Sequence, residues 1–248
     1  MEKSVFLEAQ DLGWDVQDRM ILQGITLTLR PGEFFVIMGP NGCGKTILLK
    51  MLAGLTLPTR GTVRFVGKAG GDAEMAQALK HREVQAAFVF ETGGLISNLN
   101  VWDNIALPLR YPGIMPDAQV GEIVDKALAE FNLTNFAMMR PSEISPGIKK
   151  RAQIARAKVM KPDIVFYDDP QWGLDGVQNA LVRESILNLH KEGKRVSVVS
   201  TGSAGWELRV ADRIMVLDRG RMEAIGSLEE LRAHPSKLVQ ELLQSNVL

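Results

Sequence analysis

The chain has 248 residues, 46% of them hydrophobic, which suits one large α/β core or a core carrying a smaller inserted unit. Lys+Arg and Asp+Glu both total 29, and this zero balance argues against a broad nucleic-acid-binding face. The single cysteine, Cys43, excludes an internal disulfide framework and fits a reducing compartment.

The opening stretch MEKSVFLEAQDLGWD is acidic and lacks the apolar core of a signal peptide, so no targeting segment is expected. No run approaches the roughly 18 apolar residues that a membrane span needs. Work at a membrane would require another subunit to hold the chain there.

In chain order, Val5–Leu12 and Ile25–Leu29 read as strands flanking a polar turn around Gln17–Met20. Glu33–Met38 is a continuous apolar run, the pattern of a strand buried on both faces. It runs into GPNGCGKT, after which Thr46–Ala53 continues as a helix. Arg64–Gly67 reads as a strand, and the polar Gly67–Lys80 as a loop entering a helix. Ala86–Phe90 is another strand. From about Leu95 to Met160 the pattern is helical, broken at Pro108, Pro112, Pro116 and Pro141. Asp163–Tyr167 returns to a buried strand. Gly176–Lys191 is an amphipathic helix, Arg195–Ser200 and Arg213–Leu217 are strands, and Met222–Ile225 closes a hairpin across the turn at 218–221. Residues 227–244 read as short helices.

Alternating strands and helices with one helical interruption imply an α/β core with a mostly parallel sheet and a helical insertion. The expected division is 1–94 for the first part of the core with an antiparallel β subdomain, 95–160 for the helical insertion, and 161–248 for the rest of the core with C-terminal helices.

Gly39-Pro40-Asn41-Gly42-Cys43-Gly44-Lys45-Thr46 fits G-x-x-x-x-G-K-[ST] in full, between an apolar strand and a helix. Bare glycines let backbone N–H groups turn inward around phosphates, and the helix N-terminus adds partial positive charge. Lys45 is placed to reach the β- and γ-phosphates of a nucleotide, and Thr46 to ligate Mg²⁺. Cys43 lies near a helix N-terminus, a setting that can lower a thiol pKa, but the favoured reading is a small filler residue. Further along, Ile164–Tyr167 leads into Asp168-Asp169. Acids at the C-terminal end of a parallel strand face the ligand crevice, and Asp168 is the natural Mg²⁺ partner of Thr46.

With these blocks in place, the chain resembles the ABC ATPases, P-loop NTPases, from about Val5 to Leu243. Trp14 stands where that family keeps an aromatic that stacks adenine, though an ordinary core aromatic would also fit. Glu91 stands at the Q-loop glutamine. Ile144-Ser145-Pro146-Gly147-Ile148 occupies the signature position, with Ser145 and Gly147 as nucleotide contacts, and is followed by a matching RAQIARA helix. Gly173-Leu174-Asp175 resembles the D-loop. The stretch ETGGLISNLNVWDNIALPLR is similar to that of ATPases serving MCE/Mla-type lipid transporters, and related importer ATPases share parts of it. The resemblance implies ATP and Mg²⁺ as cofactors and a second ABC ATPase domain as partner, in a homodimer or heterodimer. It also implies an integral membrane permease subunit and a peripheral location on the cytoplasmic face of the inner membrane. Lys149-Lys150-Arg151 is read as a solvated helix start rather than a nucleic-acid patch.

Four positions depart from the family pattern, and all four handle the γ-phosphate or its attacking water. Asp169 stands where the general base is a glutamate. Gly202 (or, with a one-residue shift, Thr201) stands where a histidine is expected. Glu91 replaces glutamine as a metal and water ligand, and Pro146 replaces a signature glycine. Ser145 can still cap the helix, with proline tolerated at its first position. The family's dimer sandwiches each ATP between one chain's phosphate loop and the other's signature. A homodimer of this chain would carry two doubly altered sites, and a fully equipped partner would leave both sites singly altered. Two functions follow: a slow energising ATPase, with Asp169, Glu91 and Lys45 catalytic, or a regulatory module that ATP closes without hydrolysis. A soluble ABC module of repair or translation is disfavoured by the single ATPase unit and the balanced charge. The partner surface is expected along Glu91–Leu109, with apolar Leu95, Ile96, Val101 and Trp102.

Overall fold

The computed structural model describes residues 6–17, 19–66, 72–110, 115–193 and 195–244. Val5, Gly67 and Pro112, expected in or between elements, lie outside these residues. Two antiparallel strands, β1 (Leu7–Val16) and β2 (Arg19–Leu29), lead to β3 (Phe34–Met38) and α1 (Lys45–Leu52). Then come β4 (Arg60–Val66), β5 (Asp72–Glu74), α2 (Met75–Lys80) and β6 (Ala86–Val89). The helices α3 (Val101–Arg110), α4 (Asp117–Glu130) and α5 (Pro146–Val159) stand between β6 and β7 (Ile164–Tyr167). The chain ends with α6 (Gly176–Lys191), β8 (Val196–Thr201), α7 (Glu207–Val210), β9 (Arg213–Asp218), β10 (Arg221–Gly226), α8 (Leu228–Arg232) and α9 (Lys237–Gln244).

The strands form two sheets. One is antiparallel, in the order β2-β1-β4-β5; the other runs β10-β9-β3-β8-β7-β6. In the second, β3 pairs in parallel with both β8 and β9, and β6, β7 and β8 continue the parallel set. Only β10 runs against its neighbour there. The expected α/β core with a mostly parallel sheet and an antiparallel β unit is therefore present.

The central strand explains the layering. All five residues of β3 are buried. Phe34, Val36 and Met38 join the cluster formed with α3–α6. Phe35 and Ile37 join the one formed with α1 and the antiparallel sheet. Side chains alternate across a strand, so a strand covered on both faces must be apolar throughout.

Several sequence expectations need correction. The turn near residue 17 is tighter than Gln17–Met20, since β2 resumes at Arg19 and pairs it with Val16. Pro108 does not break a helix but lies inside the last turn of α3. Proline fixes φ at a helical value, and its missing N–H forfeits one bond, to the carbonyl four residues back, without stopping the helix. The 67–80 segment contains β5, and α7 was not foreseen; three- and four-residue elements carry almost no periodic signal.

Candidate nucleotide site

The loop between β3 and α1 is held by steric necessity at two glycines. A Cβ on Gly39 would lie 2.1 Å from the Leu217 carbonyl oxygen of β9. Gly44, the residue before α1, has φ 110°, and a Cβ there would press on Leu22 at 2.8 Å. The sequence between strand and helix is thus forced into a tight turn whose N–H groups precede the helix axis. The Lys45 ammonium folds back over this turn and donates to the Gly39 carbonyl at 2.7 Å and the Pro40 carbonyl at 2.9 Å.

Across the crevice, Asp168 follows directly on β7 and is 4% exposed. Its Oδ1 accepts from Thr46 Oγ1 at 3.0 Å and from Ser200 Oγ at 2.8 Å. The same Ser200 hydroxyl accepts from the Asp169 N–H at 3.0 Å. Ser200 was not singled out in the sequence; the available signal was a hydroxyl at the C-terminal end of an apolar parallel strand, where ligand-facing groups gather. Among the described residues no cluster of three or more His, Cys, Asp or Glu side chains forms a cage for a metal ion. Thr46 and Asp168 form a hydroxyl–carboxylate pair whose oxygens could join phosphate and water around Mg²⁺.

Asp169 has φ 32°, in the left-handed region. Burial pushes its carboxyl up, Glu91 and Asp168 push the same way, and Lys45 and Lys150 oppose them. A Cβ on Gly202 would sit 3.2 Å from Asn41 Oδ1 and 3.9 Å from Asp169 Oδ2. Position 202 therefore looks into the phosphate crevice. Thr201 is 2% exposed and gives its hydroxyl proton to the Ser203 carbonyl.

Cys43 follows the filler reading and not the lowered-pKa alternative. Its thiol is buried, and burial pushes its pKa up, outweighing the Lys45 charge. It acts as apolar filling under the loop, in contact range of Gly39.

The loop after β6, which carries Glu91, is read through its backbone by one face of α5. Lys150 Nζ donates to the Phe90 carbonyl at 2.6 Å and the Glu91 carbonyl at 2.9 Å. Gln153 accepts from the Phe90 N–H and donates to the Gly93 carbonyl, both at 3.0 Å, and Arg156 donates to Gly94. Burial lowers the Lys150 pKa to about 8, against the raising effect of Asp169, Asp168 and Glu91. The run 149–151 is thus not a solvated face: Lys150 is 3% and Arg151 6% exposed. Their long stems reach backbone carbonyls, Arg151 that of Phe131 at 2.8 Å.

Ser145 caps α5 by accepting from Ile148 N–H at 3.4 Å, with Pro146 in the first turn as expected. Gly147 lies hard against α6, where a Cβ would meet Gln178 Oε1 at 2.1 Å. Neither hydrogen-bonds to the phosphate loop. Trp14 is half-buried on β1 opposite Leu22 and packs on the second core cluster. Along the expected partner surface, Val101 is core and Trp102 is tied to Asp125 at 2.9 Å. Ile96 is 41% exposed. A groove of about 450 Å³ is lined by Phe88, Leu107, Pro108, Arg156 and Met160 among others.

The family model of the ABC transporter matches residues 22–171. MlaF of Escherichia coli K12, the ATP-binding protein of an intermembrane phospholipid transport system, is 31% identical over 98% of this chain and 91% of its own length. PotA of Mesoplasma florum, a spermidine/putrescine import ATP-binding protein, is also 31% identical, over 100% of this chain and 69% of its own. Among solved structures, the dimeric ATP-binding cassette MJ0796 bound to ADP and Pi superposes with a TM-score of 0.78 at 27% identity, covering 90% of this chain and 98% of that one. With the motifs, the fold and these matches in agreement, the chain belongs to the ABC transporter family, as an ATP-binding domain.

Proposed function

We propose that this chain is the energising subunit of a phospholipid transporter of MCE type, binding Mg-ATP at a dimer interface and hydrolysing it slowly. The observation that carries the reading is the pairing of Thr46 with Asp168 beside a phosphate loop of the required shape. In this reading the backbone of Gly39, Asn41, Gly42, Cys43 and Gly44 cradles the phosphates, Lys45 neutralises them, and Trp14 meets the adenine. Thr46 and Asp168 hold Mg²⁺, joined by Glu91. Magnesium supplies charge neutralisation between the β- and γ-phosphates when bound. Ser145 and Gly147 serve the nucleotide of the partner domain, which is a second copy or a paralogue. The helical block 95–160 presents its groove to an integral membrane permease at the cytoplasmic face of the inner membrane, with 1–94 and 161–248 forming the nucleotide-binding core. No helix among the described residues is long and apolar enough to cross a membrane. The lipid class rests on the Glu91–Arg110 stretch and on the MlaF relative; the polyamine relative shows how far one scaffold serves different cargo.

Slow turnover follows from the departures at Asp169, Gly202, Glu91 and Pro146. A carboxylate one methylene short misplaces the base by about 1 Å, which can cost on the order of 10²-fold. Gly202 offers no side chain where one would face Asp169. That same bare position favours a second reading, in which ATP closes the dimer and regulates a membrane assembly without hydrolysis. Phosphate release from the isolated membrane complex, compared with Lys45→Ala, separates them. A rate above the variant supports the first, and a rate equal to it supports the second.

A further inference from the structure

Asp169 holds a left-handed backbone conformation that non-glycine residues avoid, and such conformations persist only where the surroundings impose them. On its N-terminal side the imposing contact is Ser200. On its C-terminal side, the next side chain able to anchor the loop is Gln171, and its anchor is unusual. Gln171 Nε2 donates to Glu207 Oε2 at 2.5 Å, and Gln171 Oε1 accepts from Asn179 Nδ2 of α6 at 3.0 Å. Glu207 is fully buried, and its second oxygen has no hydrogen-bond partner. The carboxyl fits only because position 205 is bare: a Cβ there would lie 2.6 and 2.7 Å from its two oxygens.

We propose that Glu207 is a positioning residue for Asp169, a strut that reaches through Gln171 to clamp the 169–175 loop against the loop after β8. The strut works through a hydrogen bond and not through charge. Asp169 repels a second anion there, while the Glu207 backbone N–H, Thr201 and Gln171 act in the opposite sense. Burial acts in the same direction as Asp169 and is the largest cause, so the acid is held towards its neutral form. A buried charge is costlier to hold than a neutral carboxyl, and the geometric link to the catalytic loop is the amide proton of Gln171. The inference rests on the ATPase reading only where turnover is concerned.

The test uses the full chain as wild type, Glu207→Ala, Glu207→Gln and Gln171→Ala. Hydrogen–deuterium exchange over 169–175 is followed together with kcat and KM for ATP. Glu207→Ala and Gln171→Ala are expected to exchange this loop about tenfold faster, with β3 and β8 unchanged. Their kcat falls about tenfold or more while KM stays within twofold. Glu207→Gln, which keeps the acceptor, restores wild-type exchange and rate. Should Glu207→Ala not fold, Gln171→Ala, whose side chain is only half-buried, carries the comparison. Unchanged exchange in both truncations, a Gln variant that behaves like Ala, or acceleration spread through the whole sheet would each overturn the strut. A wild-type chain that releases no phosphate removes the turnover reading alone, because the exchange contrast still decides the strut.

Discussion

Thr46 and Asp168, 122 residues apart, meet in a hydrogen bond of 3.0 Å between the start of α1 and the end of β7. Their meeting is a consequence of sheet order. β3, which aims the phosphate loop, and β7, which aims the acids, are separated only by β8, and β8 contributes Ser200 to the same carboxylate oxygen. Three parallel strands thus deliver loop, acid and hydroxyl to one edge.

The proposed role of Glu91 is to compensate for the short Asp169, whose pKa it helps to raise. Glu91→Gln should therefore lower phosphate release by about tenfold or more, within the usual range for losing a general base. A variant that hydrolyses at the wild-type rate or faster would contradict this role.

Asp169→Glu should move the carboxylate forward by one methylene and raise phosphate release by about tenfold. It carries a structural cost of about 1 kcal/mol, since a longer side chain sits less readily in the left-handed region than Asp does. Steady-state kinetics together with a denaturant titration reads both effects. No gain in rate would mean that the base position does not limit turnover.

The loop carrying Glu91 is fastened by α5, so Lys150→Met should expose what that fastening is worth. Two partly buried carbonyls, of Phe90 and Glu91, lose this donor. An unsatisfied buried acceptor costs about 1–3 kcal/mol. Part of this is offset because a cation no longer needs burying. Exchange of amides 91–94 should accelerate, and an unchanged loop would show that Gln153 and Arg156 suffice.

Stability should depend on pH through Glu207, whose folded carboxyl is raised by burial and by Asp169. The unfolded chain ionises at the ordinary glutamate pKa of about 4.3. Above that pH the unfolded state sheds its proton while the folded state retains it, so stability falls as pH rises, until the folded group also ionises. Glu207→Gln removes this loss. Its melting-temperature margin over wild type should be larger at pH 8 than at pH 5, and an equal margin at both would contradict the neutral acid.

Much of the site was legible in the sequence because its signals are local. The phosphate loop is eight consecutive residues between a strand and a helix, and Asp168 ends a wholly apolar strand. Long-range polar partners were not legible. Ser200, Glu207 and the carbonyl-binding Lys150 look like ordinary polar residues until the sheet order and the packing of α5 place them. Lys150 misled for a physical reason: charge run and solvated face usually go together, and only a loop with unpaired carbonyls reverses the rule.

Cys43 also yields a simple check. Its buried, raised thiol should react with an alkylating agent far more slowly in the native chain than in denaturant, and Mg-ATP should slow it further. Labelling equal with and without nucleotide would mean that the loop above it is not where the phosphates bind.

The most direct test is calorimetric titration of Mg-ATP into the purified chain, alone and within its native membrane assembly, beside Lys45→Ala. Saturable uptake of one nucleotide per chain, strongly weakened in the variant, is the predicted result. No uptake in either setting would contradict the nucleotide site itself.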